Sequence, residues 1–503
     1  MIVLERHDQL DLDDYRRVVR DHEPVEIDLD LLRRVGERRR ALDEHLAAGG
    51  VAYGVTTGLG YLARSPVAAE DRLALQRAIL VGRAVGVGEP LPEDVVRGTL
   101  LLRLMGFLSG HAGVTPELCR LIADRLNDGW YPVVPSSRPG TAGETIALCH
   151  LFQTFIGEGE VLVTGERMPA AAALARLGVP PYQPRLKEGL ALINGAPLAP
   201  ALAASLAPRA EALLDHATLL GALAVALLQA PTRPYAARIG RLKGDSGQAR
   251  VHARLADWWG DTPLGDGPQA PVSLRVLPQV HGAAHDQLDH LVHQLERELR
   301  AVTDSPLYLE AEGDEPEGFY ASGNFHSQAL SLSLDAVAIA FAQVGALAEK
   351  RLHRLLDTRF SGLPEQLSPD SGRGQAGLVA LHKAVVGLCA ENRLLAAPAS
   401  VHASDASSGQ EDFQAFTELA ADKLRRLLDN LELILAYELV ALRQARELSP
   451  ADPLPALAAS IDVAAAAIPA VVRDRPLAPD VERARELVRS GELVAAGTVR
   501  SSR

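Results

Sequence analysis

The sequence predicts a mainly helical protein, and three observations carry that expectation. Ala, Leu, Arg and Glu, all strong helix formers, dominate long parts of the 503-residue chain. Two segments, 326–357 and 412–448, repeat apolar residues at helical spacing with no interrupting proline. Glycine and proline instead concentrate in four stretches, 53–60, 131–143, 178–197 and 261–280. Each stretch lies between helical segments and reads as an ordered loop.

Taken in order, the basic run at 33–40 (RRVGERRR) is interrupted by Glu37 and reads as a solvated helix face. The apolar run at 217–231 contains Gly221 and Gln229 and is short for a bilayer span, so it reads as a buried core helix. The segment 326–357 ends in basic residues, which complement a helix C-terminus. Within 412–448, Leu424, Leu427, Leu428, Leu431 and Leu435 share one stripe. Helices of this length bundle side by side. The expected organisation is an N-terminal region, 1–200, holding the active-site loops, followed by a central helical bundle with C-terminal helices, 201–503, all in one continuous structural unit.

Composition excludes several classes. Hydrophobic residues make up 47% and charged residues 23%, so the chain is neither disordered nor collagen-like. Lys+Arg is 51 against Asp+Glu 64, a net charge of −13, which argues against nucleic acid or an anionic membrane as partner. Cys119, Cys149 and Cys389 are far apart and fit neither a disulfide framework nor a metal spacing, so no metal is expected and a reducing cytoplasm fits best. The start, MIVLERHDQLDLDD, has no apolar stretch of the signal-peptide kind.

Seven segments carry candidate chemistry: YGVTTGLG from Tyr53; GEGEV at 157–161, after His150; LINGAP with Asn194; SLRVLPQVHG with Ser273, Arg275, Pro278 and Gln279; TDSPL at 303–307; SGNFH with Asn324, Phe325 and His326; and ENRLLAAPAS followed by SSGQED, with Gln410 and Glu411. In order and spacing they resemble the aromatic amino-acid lyase family, which includes histidine and phenylalanine ammonia-lyases. The resemblance covers roughly residues 20–480.

The resemblance implies a histidine ammonia-lyase-like fold whose long central helices form a bundle shared in a homotetramer, with active sites drawn from three subunits. It implies a small amino-acid-derived substrate. It also implies a self-made electrophile, a methylidene-imidazolone, formed when an Ala-Ser-Gly segment cyclises and its serine loses water. Here the matching triad falls on Thr141-Ala142-Gly143, where Ala142 has no hydroxyl, and no Ser-Gly pair occurs in 111–200. The one Ala-Ser-Gly, at 321–323, belongs to the SGNFH motif. The expectation from these residues is no cofactor.

The resemblance further places Tyr53 as proton-abstracting base and Arg275 as clamp for the substrate carboxylate, which a guanidinium meets with two parallel hydrogen bonds. A tyrosine ordinarily titrates near ~10, so such a base needs cations or backbone donors beside it. A packed ring beside a turn and an internal ion pair are the structural alternatives for Tyr53 and Arg275. Asn194 is placed on the substrate carboxylate or leaving group, against a loop-bracing role. Phe325 and Gln410 are placed in the pocket lining, against a core ring and a helix-start cap. Three positions depart from the family: Val272 replaces a tyrosine, Gly82-Arg83 replaces a Ser-His pair, and Lys383 replaces a neutral or aromatic residue. A lysine facing an apolar pocket needs a partner, and Glu411 is the candidate.

A retained base and clamp without amine activation fit a leaving group that is already activated, such as trimethylammonium. The reading is therefore β-elimination from an amino-acid betaine; the family resemblance implies ergothioneine as that betaine, losing trimethylamine to give thiourocanate, with Lys383 and Glu411 handling the ring. A biosynthetic addition, cyclisation or isomerisation, and a ligand-binding protein without catalysis, remain open alternatives.

Overall fold

The computed structural model describes residues 1–259, 264–265, 267–370, 373–450 and 454–498. Of the expected loop 261–280, residues 261–263 and 266 lie outside the described residues. The architecture is mainly helical, with three small sheets among the described residues. Residues 2–4 pair in parallel with 25–27, strands 130–132, 160–163 and 166–169 form an antiparallel meander, and 307–309 pairs with 318–320.

The two expected long helices are present as Gln328–Leu356 and Thr417–Leu448. The second begins five residues later than the apolar pattern, because 412–416 stays in a loop closed by a bridge between Ala406 and Glu411. Leu424, Leu427, Leu428, Leu431 and Leu435 are all fully buried, so the leucine stripe is core. The apolar run 217–231 supplies the end of the helix Leu198–Leu227, where every residue from 217 to 227 is buried.

The chain divides differently from the expected boundary near 200. One compact unit comprises 1–205, 292–332 and 399–421; the other comprises 206–291, 333–398 and 422–503. The division is discontinuous because the later loop motifs, 303–326 and 399–421, group with the N-terminal region.

The first unit is held by buried polar networks as well as apolar packing. Asp304 accepts from Lys187 Nζ at 2.8 Å and from Arg103 at 2.9 Å, with all three side chains nearly sealed from solvent. Burial lowers the pKa of Lys187 and of Arg103, while the Asp304 carboxylate opposes the shift. The basic run 33–40 is only partly a solvated face. Arg33 pairs with Glu37 at 2.9 Å on the surface, whereas Arg39 is buried and donates to the carbonyls of Gly113 and Leu186. Arg39 lies on the inner side of the helix Leu29–Ala47, beside Leu42 and Leu46.

In the second unit the central pair is Arg351 with Glu438, joining the helices Gln328–Leu356 and Thr417–Leu448 through two hydrogen bonds of 2.6 and 2.9 Å. Both side chains are buried, so each charge depends on the other. Cys119, Cys149 and Cys389 are buried free thiols.

Candidate active site

The first glycine-rich loop curls back on itself. Gly54 and Gly60 take positive φ values of 68° and 57°, a region that favours glycine. A Cβ on Gly54 would lie 2.8 Å from Leu190, so the loop backbone sits directly against the helix Glu188–Ile193. Buried Gln76 fixes this contact, donating to the Gly54 carbonyl at 2.9 Å and accepting from the Leu190 N–H at 3.2 Å. The result places half-buried Tyr53 with its phenol oxygen accepting the Gly60 N–H at 2.8 Å. That N–H is a donor of the kind a phenolic base needs.

The same turn meets the 407–411 segment. A Cβ on Gly60 would approach Ser407 Oγ to 2.5 Å. Four residues on, the Glu411 carboxylate accepts the backbone N–H of Ala142 at 2.8 Å through Oε2. The Glu411 carbonyl accepts from buried Gln414 at 2.7 Å, and the N–H of Ala406 donates to it at 2.8 Å, so the backbone that carries the carboxylate is fixed. Next to Ala142, Thr141 Oγ1 donates to the Gly143 carbonyl. A Cβ on Gly143 would lie 3.6 Å from the Gly195 carbonyl and 3.7 Å from Phe325, so half-buried Phe325 borders this segment. The first unit therefore groups the Tyr53 loop, residues 141–143, Phe325 and Glu411.

Asn194 lies beside this group with its amide engaged by the chain. Its Nδ2 donates to the Ser305 carbonyl and its Oδ1 accepts from Gly195 N at 2.8 Å. The Ala196 N–H adds a bond to Thr303 Oγ1 at 3.0 Å. The geometry displays the loop-bracing role and leaves one Nδ2 hydrogen for other work. Gln410 is exposed and seven residues short of the helix at Thr417, so it does not cap that helix.

Arg275 and Lys383 belong to the second unit. Half-buried Arg275 donates through Nε to the Ala270 carbonyl at 2.9 Å and joins no ion pair among the described residues. Its terminal N–H groups retain the fork that suits a carboxylate. Lys383 is exposed in the single chain on the helix Val379–Leu395, while Leu381 and Val385 turn inward.

One residue at the site was missed in the sequence. Glu144, directly after 141–143, is buried and accepts the N–H groups of Leu198 at 2.6 Å and Ala199 at 2.7 Å, closing the start of the helix Leu198–Leu227. Burial pushes its carboxyl up to about 8, against the two N–H bonds that favour the charged form; Glu418 and Glu298 add repulsion. The usable signal is an acidic residue directly following the triad, with an apolar helical run beginning 54 residues later.

A profile described as aromatic amino acid lyase matches residues 10–468. The chain belongs to the aromatic amino acid lyase family. It is 37% identical to a histidine ammonia-lyase of Symbiobacterium thermophilum over 88% of each chain. It is 34% identical to one of Deinococcus radiodurans over 98% of this chain and 94% of that one. Among solved structures, ergothionase from Treponema denticola, in complex with desmethyl-ergothioneine sulfonic acid, superposes with a TM-score of 0.92 at 25% identity, covering 98% of this chain and 99% of that one. Tyrosine aminomutase from Streptomyces globisporus gives 0.89 at 29% identity, covering 98% of each. The fold is that of the histidine and phenylalanine ammonia-lyases, and the coarse class is carbon–nitrogen lyase.

Family membership overturns one expectation, that of no cofactor. Aromatic amino acid lyases carry the methylidene-imidazolone, built from their own chain, and relatives named histidine ammonia-lyase match nearly the whole of this protein. Absence of the group is therefore not assigned to this lyase. The side chain at the centre of 141–143 is the Ala142 methyl, which has no hydroxyl to lose.

Proposed function

We propose that this lyase eliminates trimethylamine from ergothioneine to give thiourocanate. The Tyr53 oxygen takes the β-proton. The C–H electron pair becomes the new carbon–carbon double bond, the C–N bond breaks, and trimethylamine departs as a neutral amine. Arg275 clamps the carboxylate, with the second Nδ2 hydrogen of Asn194 beside it. Phe325 offers its ring face to the quaternary ammonium, and Gln410 lines the pocket mouth. Glu411 accepts a ring N–H, and Lys383 stabilises negative charge that develops on the thioimidazole. Arg275 and Lys383 reach the pocket in a homotetramer with shared sites, acting in a reducing cytoplasm that suits three buried thiols.

The observation that carries the reading is the grouping of the Tyr53 loop, Glu411 and Phe325 around residues 141–143. The likeness to ergothionase over 98% of the chain supports the choice of substrate. A second reading, ammonia release from histidine, is favoured by the names of the 34–37% identical relatives.

One assay separates them. Purified protein is incubated with ergothioneine or histidine while ultraviolet absorbance of a conjugated product and the released amine are followed. The expected result is trimethylamine and product in equal amounts from ergothioneine. Absence of both, or turnover of histidine alone, overturns the proposal.

A further inference from the structure

Within the second unit, one side-chain cluster has no part in the elimination. Glu349 and His353 stand four residues apart on the helix Gln328–Leu356, a spacing that puts both on one face. His382 reaches them from the helix Val379–Leu395. One ligand atom from each of the three side chains lies within 4.8 Å of the others. His382 Nε2 is 2.6 Å from Glu349 Oε1, and the rings of His353 and His382 stack with centroids 4.7 Å apart and planes only 9° off parallel. The other Glu349 oxygen, Oε2, is occupied by Lys350 Nζ at 2.8 Å. Oε1 is thus the oxygen presented to the imidazoles.

We propose that Glu349, His353 and His382 form a binding site for a divalent first-row transition metal ion of the zinc class. Two imidazoles and one carboxylate are the protein ligands of open tetrahedral zinc sites, which leave the fourth position to water. Nitrogen donors favour such ions over calcium or magnesium, which take oxygen ligands. Metal–ligand bonds of about 2.0–2.2 Å set tetrahedral ligand atoms about 3.4 Å apart, so the outermost pair closes and the His382–Glu349 pair opens from 2.6 Å. Side-chain rotation supplies that adjustment, because all three side chains already converge. Glu349 is nearly buried and His382 side-chain exposure is 23%, so the cluster is shielded yet open to an ion from solvent. The ion ties two helices together at the turn where His382 precedes Lys383. The proposal is independent of the reaction proposed above.

The test uses the full-length protein, stripped with a chelator and titrated with Zn2+ by calorimetry and with Co2+ by visible absorption. The expected result is one ion per chain and cobalt bands in the range of nitrogen-ligated tetrahedral sites. His353→Ala and His382→Gln, each shown folded by circular dichroism, are expected to weaken binding at least tenfold and to abolish the bands. No stoichiometric binding to the parent protein, or parent-like binding in both folded variants, overturns the site.

Discussion

The backbone N–H of Ala142 donates to the Glu411 carboxylate at 2.8 Å, joining residues 269 positions apart. One oxygen of Glu411 is thereby held by the chain. Glu411→Gln keeps an acceptor for Ala142 and removes the charge. The expected outcome is a fall in kcat/KM for ergothioneine of about 10- to 100-fold, with a thermal midpoint close to the parent's. Steady-state kinetics beside a thermal melt check both halves, and a parent-like kcat/KM would take Glu411 out of ring recognition.

Tyr53→Phe removes the phenol oxygen and leaves the ring. If Tyr53 is the base, kcat falls by about 10²- to 10⁴-fold, the range of a positioned proton acceptor. The Gly60 N–H loses its partner in a half-buried turn, a cost of only about 1 kcal/mol in stability. Rate loss with a preserved fold is the signature to measure; full activity in the variant removes Tyr53 from the reaction.

Much of the fold is legible in the chain because helical periodicity is local. The leucine stripe from Leu424 to Leu435 is core as its spacing requires. What periodicity does not show is where a loop ends up. The bond from Ala142 to Glu411 and the brace from Asn194 to Ser305 join segments with no common local pattern. The basic run 33–40 reads as a solvated face, yet the helix turns Arg39 inward, where carbonyls of Gly113 and Leu186 satisfy it. The candidate residues could be named from motifs; the work that Asn194 does for its own loop could not.

The single carboxylate of Asp304 pairs with both Lys187 and Arg103 in a buried setting. Asp304→Ala strands both cations and is expected to cost about 3–5 kcal/mol of stability. It also loosens the 303–305 segment that braces Asn194, so a rise in KM accompanies the loss. Denaturant unfolding and steady-state kinetics at a temperature where the variant stays folded check the two effects. A parent-like unfolding midpoint would contradict the network's role.

Glu144 gives a pH dependence with a definite sign. Its carboxyl is pushed up by burial to about 8, above an ordinary glutamic acid at 4.5, so the folded state binds the proton more tightly than the unfolded one. Stability from this group is complete below about 4.5 and is lost as pH rises through about 8. Burial also pushes Glu418 up, to about 7, and it adds in the same direction. The unfolding midpoint should decline between pH 5 and 8.5. Glu144→Gln, which resembles the protonated carboxyl, should leave stability at pH 5 close to the parent's while flattening that decline. An unchanged slope in the variant would show that Glu144 does not hold a proton there.

The central claim is the identity of the amine expelled. An equimolar mixture of ergothioneine and histidine is offered to the purified protein, and the products are resolved by proton NMR. The account predicts trimethylamine methyl signals growing in step with the vinyl protons of thiourocanate while histidine persists. Urocanate appearing with ergothioneine untouched would contradict it.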